Sequence, residues 1–336
     1  MFRLRYRHKV RLRKLGRFLL IAMGLLIVGL VVVMIYADTL VTYHRDGAHL
    51  TTAPTQMQAE AVPTEPRPVI NNPIIEIQAE AVAVTNIMDV GGVYITTSML
   101  KDIDKVTSLI KSIEEPCGVM IELKSDFGNF YYSSNYANGN HPEGIDIGAV
   151  DDLLAYMKEM GFYMIASIPA FPDRAYVLEN ENLCIRESGG YGWMDSRGCY
   201  WLDPSNDAVI SHLMQITREL TDRGFQEICY TSFKFPGGSN YVYGSDKSED
   251  QIISEAAKEI CEHFSKSEII ISFVTQYTDF PVSGGRVYIS GVDGSQVEPY
   301  AAAYGENENV RELVFMTGSK DARFDHYAVL SPLMSE

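Results

Sequence analysis

Two stretches of this chain follow one local pattern: an amphipathic helix, then glycine and phenylalanine, then a short apolar strand. They meet at Gly161-Phe162 and Gly224-Phe225. Glycine is the expected residue where a helix ends in a left-handed cap. Val150, Leu153, Leu154 and Met157 form the helical stripe before the first pair, and Ile210, Leu213, Met214 and Thr217 the stripe before the second. The same alternation extends in both directions. Strands are predicted at 93–96, 119–123, 162–168, 226–231, 269–274, 286–290 and 312–317, with a last one at 327–330. Ile103, Val106, Ile110 and Ile113 mark a helix after the first strand. Another helix is predicted from Ser248, where Gln251 completes a capping-box pattern.

Parallel strands need crossover helices, so repeated strand-helix units imply a mainly parallel sheet. Seven or eight strands over residues 86–336 fit a (β/α)8 TIM-like barrel, a fold of ~250 residues. An open doubly wound sheet is the alternative. Asp89-Val90-Gly91-Gly92-Val93 leads into the first strand, and no glycine-rich phosphate loop follows that strand, so no nucleotide cofactor is expected.

Charge divides the chain. Residues 1–17 hold eight Lys or Arg and no acid, whereas the remaining residues hold 20 basic against 44 acidic side chains, a net −24. So acidic a body is unsuited to nucleic acid, which requires a basic face. Residues 18–36 contain no charged side chain. As a helix they would extend about 28 Å, the thickness of a bilayer's hydrocarbon core. The basic run before them predicts a cytoplasmic N-terminus and an exported body, in a single-pass cell-membrane protein. A cleaved signal peptide is the rival reading, but residues 35–38 make a poor cleavage site. Residues 37–85 contain five prolines among Thr, Ala and Glu and read as an extended linker. The predicted order is therefore a basic tail (1–17), a transmembrane helix (18–36), a linker (37–85) and a barrel domain (86–336).

Four stretches, in matching order and spacing, resemble the family named "putative glycosyl hydrolase domain", found in exported proteins. They are Gly92-Val93-Tyr94-Ile95-Thr96, the run from Val119 through Glu122-Leu123-Lys124-Ser125-Asp126-Phe127-Gly128, the run from Gly161-Phe162 through Phe171-Pro172-Asp173, and Gly224-Phe225-Gln226-Glu227-Ile228 continuing to Phe233-Lys234-Phe235-Pro236. Trp193, Asp195, Trp201, Asp203 and Pro204 fall where the family has W-x-D and W-x-D-P. The resemblance implies a TIM barrel acting on glycans. It also exposes departures. Thr231 stands in place of the family's Asp after the fourth strand, and Ser232 in place of the adjacent Tyr. Ser167 and Lys234 replace arginines, and Glu122 replaces an Asp.

Glycoside hydrolysis normally uses two carboxyl groups about 5 Å apart for retention and ~6.5–9.5 Å apart for inversion. Threonine is no substitute for a carboxylate nucleophile unless another group activates it. Carboxylates at predicted C-terminal strand ends, where barrel chemistry sits, are Glu122, Asp126, Asp173, Asp279 and Asp293. Glu122 and Asp126, with Asp173 in support, are the catalytic candidates. Tyr94, Lys124, Trp193, Trp201, Lys234 and Tyr277 are the candidate substrate contacts. The loops are rich in aromatics, including Phe130, Tyr131, Tyr132, Tyr200, Phe233, Tyr241 and Tyr243. Flat rings pack well on the C–H faces of sugars, and they serve equally as packing for long loops.

Five cysteines cannot all pair within one chain. A Cys184–Cys199 bridge stays open on sequence alone, since its Cα separation is not legible there. Scattered histidines with no His-x-x-x-His or Cys-x-x-Cys spacing give no support for a metal site. Two functions follow: a membrane-anchored extracellular hydrolase of cell-envelope or extracellular polysaccharide with rearranged acids, or a non-catalytic barrel that binds such a glycan or a protein partner.

Overall fold

The structure, a computed structural model, describes residues 41–44, 47–50 and 90–334, apart from positions 138, 239, 276–285, 306–309, 311, 319 and 320. The predicted tail and membrane helix, Tyr277 and Asp279 lie outside the described residues. Among those described, no helix is long and apolar enough to cross a membrane. The chain divides into two units, 1–76 and 77–336. In the first, Val41–His44 pairs antiparallel with Gly47–Leu50, a hairpin that the linker reading did not include.

The second unit is a closed barrel of eight strands. They are β1 (Gly92–Ile95), β2 (Gly118–Glu122), β3 (Tyr163–Pro169), β4 (Glu227–Thr231), β5 (Ile270–Val274), β6 (Arg286–Ser290), β7 (Glu312–Met316) and β8 (Ala328–Pro332). Each pairs in parallel with the next, and β8 returns to β1 through Leu330↔Gly92, which rules out the open sheet. Helices α1 (Ile103–Lys111), α2 (Ile147–Met160), α3 (Arg174–Glu179), α4 (Asp207–Arg223), α5 (Glu249–Phe264) and α6 (Val297–Gly305) lie in the connections. After β7 the described connection holds only a 3-10 turn, Ala322–Phe324.

Sequence sets these boundaries through caps and close contacts. Gly161 and Gly224 end α2 and α4 with φ of 78° and 101°. Ser248 accepts from the Gln251 N–H at the start of α5, and the Gln251 side-chain amide donates forward to Glu255 (2.9 Å). Gly92 faces Gly118 across β1 and β2. A Cβ on Gly92 would lie 1.9 Å from the Gly118 carbonyl oxygen, so the backbones can approach this closely only without a side chain.

Side chains alternate with a period of two along each strand, and this sorts the barrel interior into layers. Met120, Ile165, Cys229, Tyr288, Val314 and Leu330 form an apolar middle layer. One step toward the strands' amino ends, the interior is charged. Arg286 is fully buried and bonds Glu227 and Glu312, the latter from Nε at 2.6 Å. Tyr163 donates to Glu227 (2.9 Å), and so does Ser272 (2.6 Å). The second Glu312 oxygen accepts the Val90 N–H at 2.9 Å. Burial is the largest influence and opposes a charged guanidinium, but Glu227, Tyr288, Tyr163 and the hydrogen bond to Glu312 together move the Arg286 pKa upward.

Removing one partner of such a cluster leaves buried charge without compensation. Arg286→Ala should therefore lower unfolding free energy by about 3–5 kcal/mol in urea denaturation. A midpoint equal to that of the parent chain would show that the cluster does not hold the barrel.

Candidate active site

At the strands' carboxyl ends the interior opens. A cavity of about 670 Å³ is lined by Glu122, Ser167, Thr231, Ser232, Phe233, Lys234, Val274, Thr275, Ser290 and Met316. A second cavity of about 270 Å³ shares Glu122, Ser167 and Thr231 with it and adds Thr97, Lys124, Ser125, Asp126, Phe127, Pro169 and Arg197. Strand register explains the shared wall. Glu122 is the last residue of β2 and pairs with Ser167 of β3, while Pro169 pairs with Thr231 at the end of β4. Immediately after β4, Ser232 adopts a left-handed backbone with φ 51°, unusual for a residue with a Cβ. Lys234 is exposed on the rim.

Glu122 is half-buried, and its Oε2 accepts the Thr97 N–H at 2.8 Å. Among the described residues it is the sole carboxylate on the larger cavity. Asp126 reaches only the smaller one, where its Oδ2 is paired with the Arg197 guanidinium at 2.6 Å. Arg197 also bonds Asp195, and these two carboxylates raise its pKa. Burial works against the Asp195 carboxylate, but hydrogen bonds from the Cys199 N–H, Arg197 and the Trp201 indole hold its pKa below the usual range.

Asp173 sits away from the larger cavity, 1% exposed, with Lys124 Nζ at 2.7 Å from its Oδ2. Its Oδ1 caps α3 through the Tyr176 N–H at 2.9 Å. This pair locks the loop after β2 against α3, and the Arg174 and Ala175 N–H groups also donate to the Asp126 and Phe127 carbonyls. Gly128 completes the fit with φ 83°, since a Cβ there would meet Asp173 at 2.3 Å.

Tyr94 pairs with Met120 across β1 and β2 and packs against the apolar middle layer. Trp201 is buried and donates to Asp195 at 3.2 Å. Trp193 is half-buried, edge-on to Tyr241. Neither tryptophan lines either mouth cavity. Phe130, Tyr131 and Tyr132 are buried core residues that line neither mouth cavity, whereas Phe233, also buried, contributes to the wall of the larger one. Asp293 is exposed and turned onto Ser295. Cys184 and Cys199 are buried free thiols, without the bridge that the sequence left open. Burial pushes the Cys199 thiol up to about 12. Among the described residues, no three His, Cys, Asp or Glu side chains gather as a metal site. Sequence reasoning missed Arg197, which fills the space between Asp126 and Asp195, and the hydroxyls of Thr97, Thr275 and Ser290. The strand-end hydroxyls could have been found by counting in twos along β6, as Arg286, Tyr288 and Ser290 all face inward.

His212 on α4 lies under this loop, stacked on Tyr176 at 3.7 Å. Burial, then Lys124, lowers its pKa to about 4 from 6.5, with Asp173 opposing. The unfolded chain therefore binds the extra proton between these values, and stability is lost as pH falls through that window. For His212→Phe, which keeps the ring stack, the stability difference from the parent chain should shift by about 3 kcal/mol between pH 6.5 and pH 4. Parallel stability curves for the two proteins would contradict a buried neutral imidazole.

Comparison with known proteins agrees with this architecture. No protein of curated function matches the chain. A hypothetical protein from Ruminiclostridium thermocellum is 22% identical over 54% of this chain and 96% of its own length, at a TM-score of 0.45. The α-galactosidase from Lactobacillus brevis aligns at a TM-score of 0.50 and 8% identity, over 72% of this chain and 37% of that one. A GH31 family sulfoquinovosidase from E. rectale gives 0.46 at 11% identity, over 69% and 38%. This chain thus spans well under two thirds of either enzyme, and the likeness to the α-galactosidase, at 8% identity, concerns the fold alone. The family model described as "Putative glycosyl hydrolase domain" matches residues 92–290, more than half of the sequence, and the chain belongs to that family.

Proposed function

We propose that the barrel binds a cell-envelope or extracellular polysaccharide in its mouth, as a glycoside-hydrolase-like domain whose larger cavity, among the described residues, holds a single carboxylate. The observation that carries this reading is the chemistry of the larger cavity. Glu122 is accompanied there by the hydroxyls of Ser167, Thr231, Ser232, Thr275 and Ser290, the Lys234 ammonium, and the apolar Phe233, Val274 and Met316. Hydroxyls and one carboxylate bond sugar hydroxyls, and the apolar groups cover C–H faces. Among the described residues the larger cavity offers one carboxylate, whereas hydrolysis uses a protonated acid and an ionised partner together. Residues 18–36 would anchor the barrel in the cell membrane, with the basic tail inside and the barrel outside.

Hydrolysis is the second reading, favoured by one observation: Glu122 and Asp126 line the same smaller cavity. Arg197 weakens it, because its guanidinium occupies the Asp126 carboxylate at 2.6 Å.

A glycan array probed with the full-length chain tests the binding reading. Glu122→Gln and Lys234→Ala should each weaken retention about tenfold, a loss of about 1.4 kcal/mol, with no reducing ends released by the parent chain. Release of reducing ends that is lost in both Glu122→Gln and Asp126→Asn would establish the hydrolase instead. Absence of retention on every glycan would remove both readings.

A further inference from the structure

The smaller cavity of the mouth is bordered by chemistry that the larger one lacks. Phe127 lines it and is 38% exposed. Among the described residues it is the one large hydrophobic side chain that is both exposed and part of a mouth cavity. A closed turn carries it. The Ser125 N–H donates to the Asn129 carbonyl and the Gly128 N–H to the Ser125 carbonyl, both at 2.9 Å, and the Asn129 N–H reaches the Ser125 hydroxyl at 3.2 Å. The Phe127 carbonyl accepts the Ala175 N–H at 3.1 Å, which ties the turn to α3. A ring on so constrained a turn has little backbone freedom left to lose when a ligand covers it.

Asp126 and Arg197 supply polar groups to the same cavity, with side chains 23% and 52% exposed. Arg197 gives its Nε–H and one Nη2 N–H to Asp195 Oδ2, at 3.0 and 2.8 Å, and one Nη1 N–H to Asp126 Oδ2 at 2.6 Å. A guanidinium carries two N–H groups on each terminal nitrogen. Among the described residues, one N–H on each of these nitrogens and Asp126 Oδ1 are therefore not engaged. Donor and acceptor belong to one ion pair, so the groups they take must be neighbours. A hydroxyl both donates and accepts. Two hydroxyls on adjacent ring carbons can thus bond Asp126 Oδ1 and Arg197 together, while the C–H face of that ring lies on Phe127.

We infer that the smaller cavity is a second sugar subsite, with Phe127 as its platform and the Asp126–Arg197 pair as its diol clamp. It rests on the glycan binding proposed for the mouth. Glu122, Ser167 and Thr231 border both cavities, so a polysaccharide in the larger one reaches the smaller across that shared wall. The substrate class follows from the clamp: a polymer whose internal units keep a free vicinal diol. Hexose units joined 1,4 or 1,6 keep the hydroxyls on carbons 2 and 3. A 1,3 linkage consumes one of them, and a 1,4-linked 2-acetamido sugar lacks the other.

The test measures affinity of the full-length chain for 1,4- and 1,6-linked glucans and mannans, a linear 1,3-glucan and chitohexaose, beside the wider glycan array. Phe127→Ala should weaken binding of the retained glycans about tenfold, with Phe127→Tyr close to the parent chain. Arg197→Lys keeps a cation between the two acids but loses the planar fork. It should erase the preference for diol-bearing polymers, a change that a merely structural arginine would not produce. Parent affinity in Phe127→Ala, an unchanged preference in Arg197→Lys, or retention of the 1,3-glucan or chitohexaose as tight as that of the diol-bearing polymers overturns the subsite and leaves the mouth reading standing. Absence of binding to every glycan removes the proposed function, and the subsite with it.

Discussion

Arg286, enclosed by Glu227, Glu312 and Tyr163, fixes what the rest of the barrel can be. A guanidinium in a dry interior is tolerable only when its donors are matched by charge and hydrogen-bond acceptors. Those acceptors come from β4 and β7, with the Tyr163 hydroxyl from β3 and the arginine from β6. Strands distant in sequence are thus tied at the amino end of the barrel. The apolar layer around Met120, Ile165 and Tyr288 sits on this floor and seals it from above. With the lower part of the interior filled, the barrel opens at the strands' carboxyl ends, where barrels of this type carry their chemistry.

The mouth is built from what the strands leave exposed one step further on. Glu122, Ser167, Thr231 and Ser290 follow the apolar layer by two residues, so their direction is set by the same alternation that buries Met120, Ile165, Cys229 and Tyr288. The charged groups around this opening are unequal. Lys124 and Asp173 neutralise one another in the interior and hold the loop after β2 on α3. Asp126 and Asp195 share Arg197. Glu122, which accepts the Thr97 N–H, shares the larger cavity with the hydroxyls of Ser167, Thr231, Ser232, Thr275 and Ser290. That inequality, rather than the number of acids near the opening, favours a sugar-binding role over a two-acid hydrolytic one.

Much of this was legible in the sequence because it rests on local rules. Gly161 and Gly224 terminate helices where their position said they would, and the strands at β6 and β7 begin at the predicted Arg286 and Glu312. Residues whose role depends on distant partners were not legible. Asp173 has the sequence position of a catalytic loop acid, and only the tertiary fold sets it against Lys124 as a capped ion pair. Trp201 has the composition of a sugar platform, and only the turn at Asp195 gives its indole a partner and buries it. Arg197 stands 71 positions from Asp126, a pairing that no local pattern predicts.

The proposed binding places sugar above the apolar layer, against Glu122 and Lys234, over a floor closed by Arg286. A crystal structure of the chain soaked with an oligosaccharide retained on the array tests it most directly. The account predicts density for a sugar ring within hydrogen-bond distance of the Glu122 carboxylate and the strand-end hydroxyls of β3 and β4. Density confined to the outer helices, with the mouth filled by the chain's own side chains, would contradict it.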